Sequence, residues 1–180
     1  MSKIGRKPIE LLAAKIELKG QELIISGSKA KFTHVLPNIL SAKIEDGYLY
    51  INLLKDSNEN RAVWGLNRAL VANKIFGCQK LFEKKVTIVG LGFKAQLSGK
   101  KMTLTLGYSH KIDYVIPNDV EVDIDKTGQL LVFKSTDKLS LGNVCDKIKS
   151  FRFPEPYKGT GIIVEGDILI RKAGKAKASA

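Results

Sequence analysis

Cysteine and histidine are scarce, with two of each in 180 residues. Cys78 and Cys145 lie 67 positions apart, which forms no metal-binding spacing, and two thiols make no disulfide framework. Both read as buried thiols acting as small hydrophobes in a reducing compartment. His34 and His110 are also far apart, with no carboxylate spacing that suggests a site. They read as ordinary surface or strand histidines. No apolar run reaches the roughly 18 residues that a membrane-spanning helix needs. The opening stretch, Met1 to Pro8, is basic and lacks the apolar core of a secretory signal. No carboxylate pair, Ser/His/Asp set or metal cluster stands at a working spacing. These absences point to a cytoplasmic chain that is not an enzyme, with no cofactor, no membrane partner and no small-molecule substrate.

What the chain has is positive charge. Thirty Lys and Arg stand against 18 Asp and Glu, a formal net charge of +12. Hydrophobic residues make up 44%, enough for a packed core. A globular chain with this balance suits an acidic polymer, either a nucleic acid or an anionic membrane surface.

Along the first half the apolar residues alternate: Ile16 and Leu18, Leu23 and Ile25, Phe32 to Leu36, Ala42 and Ile44, then Leu49, Ile51 and Leu53. Period two predicts antiparallel strands with one buried face. Glu45-Asp46-Gly47 is a hairpin signal. From Asn58 to Phe76 the period becomes 3.6, with Ala62, Val63, Leu66, Ala69, Leu70 and Asn73 as the predicted face. Asp56, Ser57 and Asn58 are its cap candidates, and Gly77 closes it.

The same order then recurs at an offset of 80: Phe32 against Ile112, Val35 against Val115, Pro37-Asn38 against Pro117-Asn118, Ile44 against Ile124. A second helix is predicted over 136–150, with Leu141, Val144, Cys145 and Ile148 on one face. The chain therefore reads as an internal duplication in the α+β class. Each half is a small antiparallel sheet covered by one helix. The expected domains are 1–82, with a basic N-terminal arm, and 83–180. The second half gains a strand at Val86–Val89 before its repeat begins. It also gains a tail: a Pro-stiffened extended connector at Phe151–Gly161, a hairpin around Glu165-Gly166-Asp167, and a basic end. Since duplication supplies scaffold twice, the special function is expected in these additions.

Five stretches invite a chemical reading. Gly90-Leu-Gly92-Phe-Lys94-Ala95 after a strand imitates a dinucleotide fingerprint. However, strand alternation at Met102, Leu104 and Leu106 follows where that motif needs a helix. The remaining readings are a glycine-bearing bend, or a bend that brings backbone and Lys94 to a phosphate. Gly107-Tyr-Ser109-His110-Lys111 is a hairpin turn or an RNA-contacting loop. Asp119, Glu121, Asp123 and Asp125 alternate with apolar residues and form one solvated strand face. In Phe151–Gly161, Arg152 and Lys158 supply charge, Tyr157 a flat ring, and Gly159 and Gly161 bare backbone. That suits a phosphate-rich surface, though Pro and Gly also mark plain loops. Arg171, Lys172, Lys175 and Lys177 form a tail with few groups to bury, expected to order on an anion.

Several of these stretches resemble one family over nearly the whole length. Ser2-Lys-Ile-Gly5-Arg-Lys-Pro8-Ile, Arg61 to Leu70, Ile88 to Ala95, Gly107 to His110 and, most specifically, Pro154 to Ile162 are similar to the large-subunit ribosomal protein of the L-six family, bacterial type. The resemblance implies a structural component of the large ribosomal subunit. It would bind 23S-type rRNA mainly through the second domain, near the sarcin–ricin loop, with neighbouring ribosomal proteins at the stalk base. Thr160 stands where the family usually has lysine, and Ile163 and Val164 where it has a basic and then an aromatic residue. These departures remove cationic contacts. A free-standing regulatory RNA-binding protein and a nucleotide-binding enzyme are the alternatives.

Overall fold

The computed structural model describes residues 2–174. The chain forms two compact units, one built on residues up to Leu81 and one on residues from Phe82 onward. Thr136–Lys138 group with the first. Among the described residues no helix is long and apolar enough to cross a membrane.

The first unit holds β1 (Ile9–Glu10), β2 (Lys15–Lys19), β3 (Glu22–Ser26), β4 (Lys31–Val35), β5 (Leu40–Glu45), β6 (Tyr48–Leu53) and α1 (Asn58–Gly77). The second holds β7 (Phe82–Val89), β8 (Lys94–Ser98), β9 (Lys101–Thr105), β10 (Ile112–Val115), β11 (Val120–Ile124), β12 (Leu130–Ser135), α2 (Lys138–Phe151) and β13 (Gly161–Val164). The α+β duplication is present, but each repeat divides its strands between two small antiparallel sheets. Orders β2-β3-β4 and β1-β6-β5 in the first unit correspond to β8-β9-β10 and β13-β7-β12-β11 in the second. The β5–β6 hairpin turns on Asp46 (φ 49°) and Gly47 (φ 79°), both left-handed as a two-residue loop of this type requires.

The strand expected as an addition before the second repeat is instead a lengthened version of one in the first. β7 pairs with β12 over Phe82–Thr87, while its counterpart β1 pairs with β6 only at Ile9 and Glu10. The bend after each strand is duplicated too. Ala14 N–H donates to the Leu11 carbonyl (2.9 Å), and Phe93 N–H to the Gly90 carbonyl (3.3 Å). Period-two alternation shows too little in a two-residue strand to be read from sequence.

α1 is capped by the Ser57 hydroxyl, which accepts from Asn60 N–H. Its buried face is not the predicted one. The sheet takes Asn67, Val71 and Ile75, spaced four apart, while Leu66 is 58% exposed and Leu70 38%. Asn67 hides this stripe from a hydrophobicity reading. It is buried because its amide donates to the Val63 carbonyl (2.8 Å) and its oxygen bonds His34 Nε2 (3.0 Å). Of the two expected readings, surface or strand, His34 is a strand histidine, buried in β4 opposite Leu23 of β3. α2 buries the four predicted residues, Leu141, Val144, Cys145 and Ile148, against Val86, Met102, Leu104 and Phe133.

β13 is the outer strand of its sheet. Its outward amides are both taken: Ile162 N–H by the Arg152 carbonyl (3.0 Å) and Val164 N–H by Asp167 Oδ2 (3.0 Å). Lys149 holds that carboxylate at 2.8 Å and, with the Val164 amide, keeps its pKa below the usual range. The chain turns at Glu165-Gly166 and, among the described residues, forms no return strand, so the expected hairpin is a turn followed by an irregular segment.

Candidate nucleic-acid interface

The second unit's bend places Phe93 by leaving space for it. A Cβ on Gly90 would stand 2.5 Å from the Phe93 ring, and one on Gly107 (φ 76°) 2.6 Å. Only glycine fits both places. Phe93 then floors the end of α2. The Arg152 guanidinium lies 5.5 Å from its ring centroid and 4.9 Å from that of Tyr108. Tyr108 is held by its hydroxyl, which donates to the Phe151 carbonyl (3.0 Å), one of the carbonyls a helix end leaves free. Its ring stacks on His110, with centroids 6.0 Å apart and planes at 20°. A guanidinium over aromatic faces is attracted to them and keeps its N–H edge available.

The segment expected as an extended connector instead folds back on itself. Gly159 N–H donates to the Glu155 carbonyl and Glu155 N–H to the Thr160 carbonyl, both 2.9 Å. Thr160 Oγ1 also bonds Glu155 Oε2 (3.1 Å). Pro154 and Pro156 therefore stiffen a tight turn. Its tip carries Lys158 and Tyr157, the latter 54% exposed. Gly159 and Gly161 are buried. A Cβ on Gly159 would meet the Arg171 guanidinium at 2.8 Å, and one on Gly161 the Phe153 carbonyl at 2.6 Å. Their bareness accommodates the protein's own chain. Lys172 N–H donates to the Pro156 carbonyl (2.8 Å), so the start of the basic tail docks on the same turn.

Two groups of predicted residues are thus assembled: Arg152 with the Gly107–His110 loop and the Gly90 bend, and Tyr157–Gly161 with Arg171 and Lys172. Arg152 belongs to both, since its carbonyl accepts from Ile162. Gly92 (φ 73°) shapes the bend. Ser109 and Lys111 are exposed in the loop beside His110. Lys94 lines a different feature, an open groove of about 670 Å³ between β8 and the Asp125–Gly128 turn. Lys175 and Lys177 lie outside the described residues. Among the described residues, none of Lys94, Lys111, Arg152, Lys158, Arg171 and Lys172 is ion-paired to a carboxylate. Phe93 is a contributor that residue type alone does not single out. Its signal in the sequence is an aromatic directly after the Gly90-Leu-Gly92 pair.

The model of the Ribosomal protein L6 family matches residues 89–165, which includes the bend, the loop and the turn. Over the whole length, the chain is 39% identical to the large ribosomal subunit protein uL6 of Methylacidiphilum infernorum, covering 97% of this chain and 98% of that one. Against the uL6 of Natranaerobius thermophilus the figures are the same. Against that of Xanthobacter autotrophicus identity is 38%, covering 98% of this chain and all of the relative.

Proposed function

The chain belongs to the uL6 family of large ribosomal subunit proteins, and from that premise we propose that it is a structural, non-enzymatic constituent of the large subunit. Its second unit binds large-subunit rRNA near the sarcin–ricin loop and the stalk base, beside neighbouring ribosomal proteins. The observation that carries the RNA-binding reading is Arg152, stacked over Phe93 and Tyr108, with no carboxylate among the described residues ion-paired to it. Folded RNA is gripped through phosphates and through rings that stack on sugars and bases. A planar guanidinium held in place suits a phosphate, which it contacts with two parallel N–H bonds. Tyr157 supplies the stacking face and Lys158 a second charge. Ser109, His110 and Lys111 extend the contact along the loop, Arg171 and Lys172 add charge beside the turn, and Lys94, Lys175 and Lys177 are further candidate contacts.

The test is binding of the full chain to an rRNA fragment that contains the sarcin–ricin region, measured across salt concentrations. Arg152→Ala with Lys158→Ala is expected to weaken binding about tenfold and to lower the log–log salt slope by roughly two units, one per lost phosphate contact. An unchanged slope would refute this map.

A further inference from the structure

The first unit carries its own device. Its N-terminal segment, expected as a basic arm, is a locked turn. Lys7 N–H donates to the Ile4 carbonyl (3.2 Å) and Gly5 N–H to Ser2 Oγ (3.1 Å). Gly5 is buried face-on against Trp64 of α1, where a Cβ would stand 2.5 Å from the indole. Trp64 is itself fixed by its ring N–H, which donates to the Ile51 carbonyl (2.6 Å). Arg68 of α1 spends its guanidinium on the main-chain carbonyls of Lys7 (3.1 Å) and Pro8 (3.0 Å). Ile9 then enters the sheet beside Leu49.

The turn held in this way presents Lys3, Arg6 and Lys7 to solvent. None of the three is ion-paired to a carboxylate among the described residues. The nearby acid Asp56 accepts from Arg61 Nε and Nη2, both at 2.6 Å, and that grip chiefly lowers its pKa, with Arg6 adding to it. Terminal segments are ordinarily loose. Here a tryptophan, an arginine and a glycine fix three like charges within five residues, which only raises their mutual repulsion unless an anion is bound.

We propose that the Ser2–Pro8 turn is a second RNA-binding site, in the first unit, and that it takes the phosphate backbone. This rests on the reading of the protein as an rRNA-binding component, and adds a contact that the second unit does not supply. The turn exposes two apolar side chains, Ile4 (56% exposed) and Pro8, too little for the apolar centre of a protein–protein interface and sufficient beside a sugar–phosphate chain. Because the turn is ordered by folding, RNA binding does not bear the cost of ordering it.

The test again uses the full chain and a large-subunit rRNA fragment. Lys3→Ala, Arg6→Ala and Lys7→Ala together are expected to weaken binding about tenfold and to lower the salt slope by roughly two to three units. Removing the same charge at Lys15, Lys19 and Lys31 is expected to do much less. Equal losses in the two triple variants would reduce the turn to bulk charge and overturn the site. Gly5→Ala, which keeps every charge but collides with Trp64, is expected to weaken binding severalfold with the slope retained, the fold being checked by circular dichroism. If the arm variants bind like the parent while Lys158→Ala is weakened, the arm site is wrong and the second-unit reading stands. If Lys158→Ala also binds like the parent, both fall. RNA affinity unchanged but incorporation into subunits lost would assign the turn to a protein partner, against the proposal.

Discussion

His34 shows how one residue ties charge to stability. Burial is the main cause that lowers its pKa from 6.5. The bond to Asn67 opposes this, and the Lys74 ammonium adds to it. Lys74 Nζ donates to the Thr33 carbonyl (2.8 Å) and stands 3.4 Å from His34 Nδ1, so that nitrogen offers its lone pair and Nε2–H donates to Asn67. Protonating Nδ1 would set two cations against each other. The unfolded chain therefore takes up this proton first as pH falls. The contribution is intact above about pH 6.5 and is lost as pH drops toward the lower folded value. Melting temperature is expected to fall between about pH 7 and 5, and that increment should disappear in His34→Gln. An identical decline in both proteins would assign the titration to another group.

At the scale of elements, α1 sorts its two stripes by what the sheet can accommodate. Ile75, 1% exposed, is expected to cost about 2–5 kcal/mol when cut to alanine. Leu66→Ala should stay within about 0.5 kcal/mol. Denaturant unfolding of the two variants decides which stripe faces the core, and the reverse order would sink the assignment. The comparison also shows what was legible. α2 could be read directly because Leu141, Val144, Cys145 and Ile148 are all apolar and all buried. α1 misled because a paired polar residue, Asn67, sits in the buried stripe, and pairing across 33 positions leaves no local trace. The same limit explains the 151–161 segment. Prolines announced stiffness, but the choice between a ribbon and a turn depended on hydrogen bonds between Glu155, Gly159 and Thr160. Arg152, Tyr157, Lys158 and the Gly107–His110 loop are legible in the sequence as candidates by residue type. The missing member, Phe93, has a role defined by Arg152, 59 positions away, and by the space that Gly90 and Gly107 leave.

For the whole molecule, each unit holds one thiol, at positions that the duplication does not equate. Cys78 closes α1 and Cys145 lies inside α2; both are free and buried, and burial raises the pKa of each. A thiol that is buried and protonated reacts slowly. The native protein is expected to release almost no colour from a thiol-reactive disulfide reagent, and two equivalents in denaturant. With Cys78→Ala the remaining thiol reports opening of the second unit alone, and with Cys145→Ala that of the first. Rapid reaction of either in native buffer would contradict its burial.

The finish of β13 matters before any RNA is met. A strand at a sheet margin usually advertises free amides on which a stray chain can template itself. Arg152 and Asp167 have already claimed those of Ile162 and Val164. A freshly made copy therefore meets its siblings with that flank sealed, and runaway fibre growth finds no foothold there.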